Sequence, residues 1–245
     1  MAQQGFLGTI GYIKGNLMSN PNLLDKGYSN ENFYPGAESI PESAVTHPKR
    51  YKYIFVGKNS DPGRLELPMP INNNSRIEFE DFMINVSSIA WEFWSLPSNA
   101  IARGLVMDFG YQKLHGWIAG NEVTGLPLNW VTPNKPTSEQ MTNLSNGNHI
   151  ILDLKNGKIT QNGVTSVSLD PTLYNLTDTG IRLDIRGYQG YGAIKVYEND
   201  NLVHYYYPTI NKNNQKCYYD ARTQQYFAFP VKSDIPYYFG PELNI

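Results

Sequence analysis

From residue 181 to residue 186 apolar and charged side chains alternate without a break: Ile181, Leu183 and Ile185 fall on one side, Arg182, Asp184 and Arg186 on the other. A period of two marks a strand buried on one face only, because successive side chains of extended backbone point in opposite directions. The same pattern runs through residues 76–82, where Ile77 and Phe79 oppose Glu78 and Glu80, and through 149–154, where Ile150, Leu152 and Leu154 share a side. Short strands over 52–56 and 65–69 flank the turn Asp61-Pro62-Gly63. Half-buried strands of this kind stack as antiparallel sheets. The pattern therefore predicts an all-β, two-sheet antiparallel sandwich with little helix.

Turn residues divide the remaining strands. Residues 191–207 read as a hairpin folded over Glu198-Asn199-Asp200-Asn201, and a second pair of strands follows around 217–229. Pro208 is expected to end the first pair, since it has no N–H for a central ladder. Asn156-Gly157, between Leu154 and Ile159, predicts a two-residue hairpin turn. The run Gly187-Tyr188-Gln189-Gly190-Tyr191-Gly192 reads as a strand connection whose glycines take unusual backbone angles. Residues 120–147, with Pro127, Pro133 and Pro136, read as a long loop or insertion at one rim, a place where specificity is commonly carried.

Residues 1–47 show no sustained period. Their isolated apolar residues, including Phe6, Leu7, Ile10 and Tyr12, cannot bury one another, so the segment is expected to be an arm that docks or oligomerises, the alternative being an arm wrapped around its own sandwich. Residues 48–230 form the sandwich in this reading. A tail, 231–245, ends it, and the clustered rings of Tyr237, Tyr238 and Phe239 are expected to contact another subunit.

With 40% hydrophobic residues, a chain of 245 residues has enough apolar material for one large β domain. The wealth of aromatics, 18 Tyr and 10 Phe against 17% charged residues, suits strands and interfaces better than solvated helices. A net charge of −2 gives no footprint for nucleic acid and no polybasic patch for a membrane. The N-terminus has neither the basic start nor the apolar run of a signal peptide, which fits assembly from the cytoplasm. Cys217 is alone, so no internal disulfide forms, and its aromatic surroundings imply a buried, inert thiol.

Catalytic and metal-binding patterns are sparse. His47, His115, His149 and His204 lack metal-ligand spacing, and neither a Gly-x-Ser-x-Gly nor a P-loop occurs. Asp153, Asp170 and Asp178 suit calcium by residue type alone, so no metal or other cofactor is assigned. Glu78 and Glu80 share a face with ~6.5–7 Å of strand between them, a spacing open to a carboxylate pair, although a solvated outer face explains them better. The aromatics allow two readings: each Trp taken singly is most simply read as filling the sandwich core, and binding is the alternative. Trp91 and Trp94, three apart, take opposite faces of a strand, and Trp117 and Trp130 flank the loop-rich stretch. Trp94, Trp117, Trp130 and Tyr188 are thus the candidate ligand-binding residues, since an exposed ring stacks on a sugar or anchors a partner.

Lys195, Val196, Tyr197, Asn199, Leu202, Val203, Tyr206 and Pro208, then Tyr219-Asp220 and Tyr226-Phe227, form a pattern. It resembles the end of the concanavalin A-like (laminin G-like) jelly-roll domains of phage structural proteins and bacterial surface proteins. The likeness extends over roughly residues 48–230, through Tyr53-Ile54, Asn72-Asn73-Asn74, residues 76–80 and the hairpin 149–157; Lys216-Cys217 stands where many relatives carry Gly. The resemblance implies a jelly roll and a non-enzymatic virion protein, displayed on the particle as a head fibre or capsid decoration subunit. Its expected partners are other virion proteins, further copies of itself and host-surface glycan, with neither nucleic acid nor membrane. A tail fibre or baseplate subunit, and a free carbohydrate-binding or adhesin module, are the alternatives. A glycoside hydrolase, which would use Glu78, ranks last, because the family's Glu-x-Asp-x-x-Glu motif is incomplete here.

Overall fold

The computed structural model describes residues 48–85, 92–96, 104–108, 113–132, 135–144 and 147–244. The chain divides into two units, Met1–His47 and Pro48–Ile245. Phe6, Leu7, Ile10 and Tyr12, the expected arm as a whole, and Trp91 lie outside the described residues.

The second unit is the antiparallel β-sandwich that the alternation predicts. One sheet has eight strands, in the order Val164–Ser168, Lys158–Gln161, Asn148–Asp153, Ser75–Phe82, Ile194–Glu198, Asn201–Ile210, Lys216–Asp220 and Gln225–Ala228. The other has six, in the order Gly63–Asn72, Thr177–Ile185, Glu92–Leu96, Leu105–Asp108, Lys113–Ile118 and Asn121–Pro127. Alternate residues of each strand meet in the interior. Ile77, Ile150 and Val196 come from the larger sheet, and Leu67, Leu114 and Ile181 from the smaller, all fully buried. Phe79 and Phe93 pack across the gap with ring centroids 5.2 Å apart. Each such side chain contributes roughly 1.5–3 kcal/mol by leaving water, so the register of every strand is fixed by which residues must face inward.

The hairpin over residues 191–207 forms as expected: Glu198 pairs with Asn201, and Asn199 and Asp200 take the positive φ values, 48° and 67°, of a tight hairpin turn. Other turn expectations are corrected. Asp153 pairs with Lys158, so the turn holding Asn156-Gly157 has four residues, with Asn156 tied to Asp153 through backbone and side chain. The two-residue turn is the next one, Asn162-Gly163, with φ of 49° and 83° between the paired Gln161 and Val164. Pro208 does not end its strand, which runs on to Ile210. It lies beyond the last pairing of this strand with the neighbour Ile194–Glu198, on a flank where no ladder N–H is required. In the connection 187–192 the left-handed residue is Tyr188, at φ 55°, and not a glycine. Gly187 and Gly192 are small for another reason: a Cβ would stand 1.9 Å from the Lys58 carbonyl oxygen and 2.0 Å from that of Glu80.

Residues 120–147 are not one long loop. They contain the strand Asn121–Pro127, the strand Trp130–Thr132, which pairs in parallel with Ile84–Asn85, and a short helix, Ser138–Thr142. Thr137 caps the helix in a reciprocal box with Gln140. The Gln161 amide grips both backbone groups of Leu126, at 2.8 and 2.9 Å, and so ties the edge of one sheet to the other. The tail also belongs to the sandwich unit. Tyr237–Phe239 pairs with Ile54–Val56 in a three-stranded sheet, Phe239 stacks on Tyr51 at 4.2 Å, and Tyr238 packs against a second cluster around Tyr53 and Met83. These rings, expected to contact another subunit, are thus covered in part by their own chain, and each keeps some exposure.

Candidate ligand-binding face

Strand Glu92–Leu96 buries Phe93 and Ser95 and turns Glu92 and Trp94 outward; strand Lys113–Ile118 buries Leu114, Gly116 and Ile118 and turns His115 and Trp117 outward. Leu105–Asp108 lies between them. Val106 pairs with Trp94 on one side and with Trp117 on the other, so all three side chains stand on the outer face of the six-stranded sheet. Two strand spacings separate the tryptophans, about 10 Å. Val106 is only 4% exposed although it faces outward, while both indoles remain partly exposed. The row continues in register to Arg182 and Glu66 beyond Trp94 and to Glu122 beyond Trp117.

Polar groups fix the two rings. The Trp94 indole N–H donates to Glu92 at 3.0 Å, and the Arg182 guanidinium lies 5.5 Å from the ring centre. The rings of His115 and Trp117 meet in a T-shaped contact with centroids 4.6 Å apart, and the His115 Nε2 is 2.9 Å from Glu122. Beside this row stands Asp184, its side chain 6% exposed, with Arg64, Arg182 and Arg186 at 3.3, 3.6 and 3.4 Å. Aromatic planes flanked by carboxylates and guanidinium groups suit non-covalent recognition, in which rings stack and charged oxygens and N–H groups orient hydroxyls.

Of the four ring residues singled out from sequence, the structure thus brings Trp94 and Trp117 together in mid-sheet and not at a loop-rich rim. Trp130 has its backbone in the parallel pair with Ile84–Asn85, and its side chain is outside the described residues. Tyr188 is elsewhere, packed on the cluster formed by Tyr53, Phe55, Met83, Met141 and Leu144. Arg182, Glu92, His115 and Glu122 were missed. The outward alternation gave a signal for Arg182, but cross-strand neighbours depend on pairing that no local pattern reveals.

The outer face of the eight-stranded sheet is occupied differently. Glu78, 8% exposed, pairs with Arg76, and Glu80 is held by Lys195 at 2.5 Å and Arg50 at 3.6 Å. Both glutamates of the strand 75–82 are thus ion-pair partners, as is Asp81, with Lys52 at 3.3 Å. Tyr205, Tyr207, Tyr219 and Tyr226 make a continuous ladder of rings with centroid spacings of 5.5, 5.5 and 4.9 Å. Tyr207 is 2% exposed, and its hydroxyl donates to the Pro48 carbonyl at 3.3 Å. Burial raises its pKa.

On the inner side, Asp220 is fully buried and accepts from His204 Nδ1 at 2.7 Å, Tyr205 N at 3.0 Å, Arg222 N at 3.0 Å and Thr223 Oγ1 at 2.8 Å. Burial alone would push its pKa up; the hydrogen bonds outweigh that and hold it below the ordinary value. Asp220 thereby pins the turn between the last two strands of the sheet. Cys217 is buried as expected, and loss of water raises its thiol to about 11. Among the described residues no three histidine, cysteine or acidic side chains converge to hold a metal ion. Asp153 and Asp170 cap turns, and Asp178 lies in the strand Thr177–Ile185, paired with Ile71.

No protein-family model and no curated protein matches the chain. Among solved structures it is similar to a scytalido-glutamic peptidase with a peptide-based transition-state analogue. Identity is 11% over 69% of this chain and 93% of that chain, with a TM-score of 0.20, and a likeness that slight carries no argument about activity.

Proposed function

We propose that this protein is a non-enzymatic binding subunit displayed on a phage particle, of the head fibre or capsid decoration type. The outer face of its six-stranded sheet meets host-surface glycan. The carrying observation is the cross-strand row Trp94–Val106–Trp117, which sets two partly exposed indoles side by side on a rigid sheet. A mid-sheet site is held by the sandwich core, so stacking costs little ordering on binding. The virion setting is supported by the sequence resemblance; copies of this chain and other virion proteins are its partners there, assembled in the host cytoplasm.

The test uses purified particles bearing a label at the C-terminus of either the native chain or the Trp94→Ala/Trp117→Ala variant. Imaging should place the label on particles of both kinds, and adsorption to host cells should fall at least tenfold for the variant. Absence of label from every particle fraction would remove the virion reading. Unchanged adsorption would remove the binding face.

A further inference from the structure

A cleft of about 500 Å³ opens between the turn at Asn214-Gln215 and the tail. It is separate from the tryptophan row and within the size range of small-molecule sites, roughly 300–1,000 Å³. Its floor is apolar. Phe229 and Ile235, 2% and 5% exposed, form it together with Tyr237, whose ring meets Phe229 at 5.8 Å. The Tyr237 hydroxyl is already committed to the Pro230 carbonyl at 2.5 Å, so this ring offers the cleft its apolar face. Val231 forms a wall and is 79% exposed, more than any other large apolar side chain among the described residues. Val231 thus leaves apolar surface free in the same space, and an apolar ligand body seated on this floor would cover it.

The rim is polar and of one sign. Lys216 lines the cleft beside Asn214 and Gln215, and no carboxylate does. Among the described residues Lys216 forms no ion pair, and its Nζ is 5.9 Å from the centre of the Phe239 ring. The tail acids are engaged elsewhere, Asp234 with Lys58 at 2.6 Å and Glu242 with Lys49 at 2.9 Å. Asn211 holds the turn by accepting from the Gln215 N–H at 3.0 Å and donating to Gln215 Oε1 at 2.9 Å, which leaves the Gln215 amide N–H groups as the donors. A cation and amide donors over an apolar floor complement an anion attached to a hydrocarbon or aromatic body.

We propose that this cleft binds a small amphipathic monocarboxylate, with the carboxylate on Lys216 and the body against Phe229, Ile235 and Tyr237. The full chain is titrated with the fluorescent anion 8-anilinonaphthalene-1-sulfonate, which is then displaced by decanoate or by the uncharged decanol. Decanoate should displace the dye at a concentration about fivefold lower than decanol at low salt, the worth of a partly exposed charge pair. Lys216→Gln should abolish that preference, and Val231→Glu, at an exposed position, should weaken dye and decanoate alike. Equal potency of decanoate and decanol on the native chain overturns the proposal, as does dye binding that neither variant alters. Urea midpoints of both variants, expected to match the native chain, show that any loss is local.

Discussion

Replacing Asp220 should cost more than any other single polar change in the larger sheet. Its carboxylate has no solvent exposure and receives four hydrogen bonds between 2.7 and 3.0 Å. Alanine would strand the donors of Tyr205, Arg222, Thr223 and His204, each unsatisfied buried donor costing about 1–3 kcal/mol. The turn lies at the end of the sheet, so water recovers part of that loss, and about 3–5 kcal/mol remains, as for removal of one member of a buried pair. Asparagine keeps an oxygen for the two backbone N–H groups but presents N–H to His204 and Thr223. Both can reorganise to accept, so about 1–2 kcal/mol is expected. Urea unfolding at pH 7 reads these losses as shifts in midpoint at constant m. Because the folded pKa of Asp220 is depressed, its contribution is complete above the unfolded value of about 4 and fades as pH falls through the lower folded value. The gap between the native chain and Asp220→Asn should accordingly narrow below about pH 4. An alanine variant losing under about 1 kcal/mol, or an asparagine variant losing as much as alanine, would refute this account of the turn.

Gln161→Ala should cost about 1–3 kcal/mol, and the Leu126 amide, released from its 2.8 Å bond, should exchange with deuterium faster than its neighbours. Gly116→Ala would set a Cβ 2.2 Å from the Val106 carbonyl oxygen and force the two strands apart, for about 2–3 kcal/mol by urea unfolding. Cys217, with its thiol near 11, should resist iodoacetamide in the folded protein at pH 8 and react fully in urea, as followed by mass spectrometry. Rapid alkylation under native conditions would contradict its burial.

Where burial on one face dictated the pattern, sequence was enough. The strands around Ile77, Ile150 and Ile181 follow from alternation, and the 198–201 turn from its Asn and Asp residues. Local signals failed where a long-range neighbour decides. Pro208 is tolerated in a strand because its second neighbour has ended, and Tyr188 holds positive φ while its backbone N–H donates to the Val56 carbonyl at 2.9 Å. The tail rings are covered in part by Ile54–Val56 and Tyr51, from the far end of the described chain, a pairing invisible to any window. For the candidate face, strand parity could say that Trp94 points outward if Phe93 points inward. It could not say that Trp117 shares its row, since that depends on Val106 lying between them.

The most direct measurement on that row follows the indole N–H resonances of isotopically labelled protein while host cell-wall oligosaccharide is added. The account predicts that the Trp94 and Trp117 signals shift together along one binding isotherm, with Val106 methyl signals moving at the same midpoint. Saturating binding to the protein that leaves both indoles unmoved, or that moves only one of them, would contradict it.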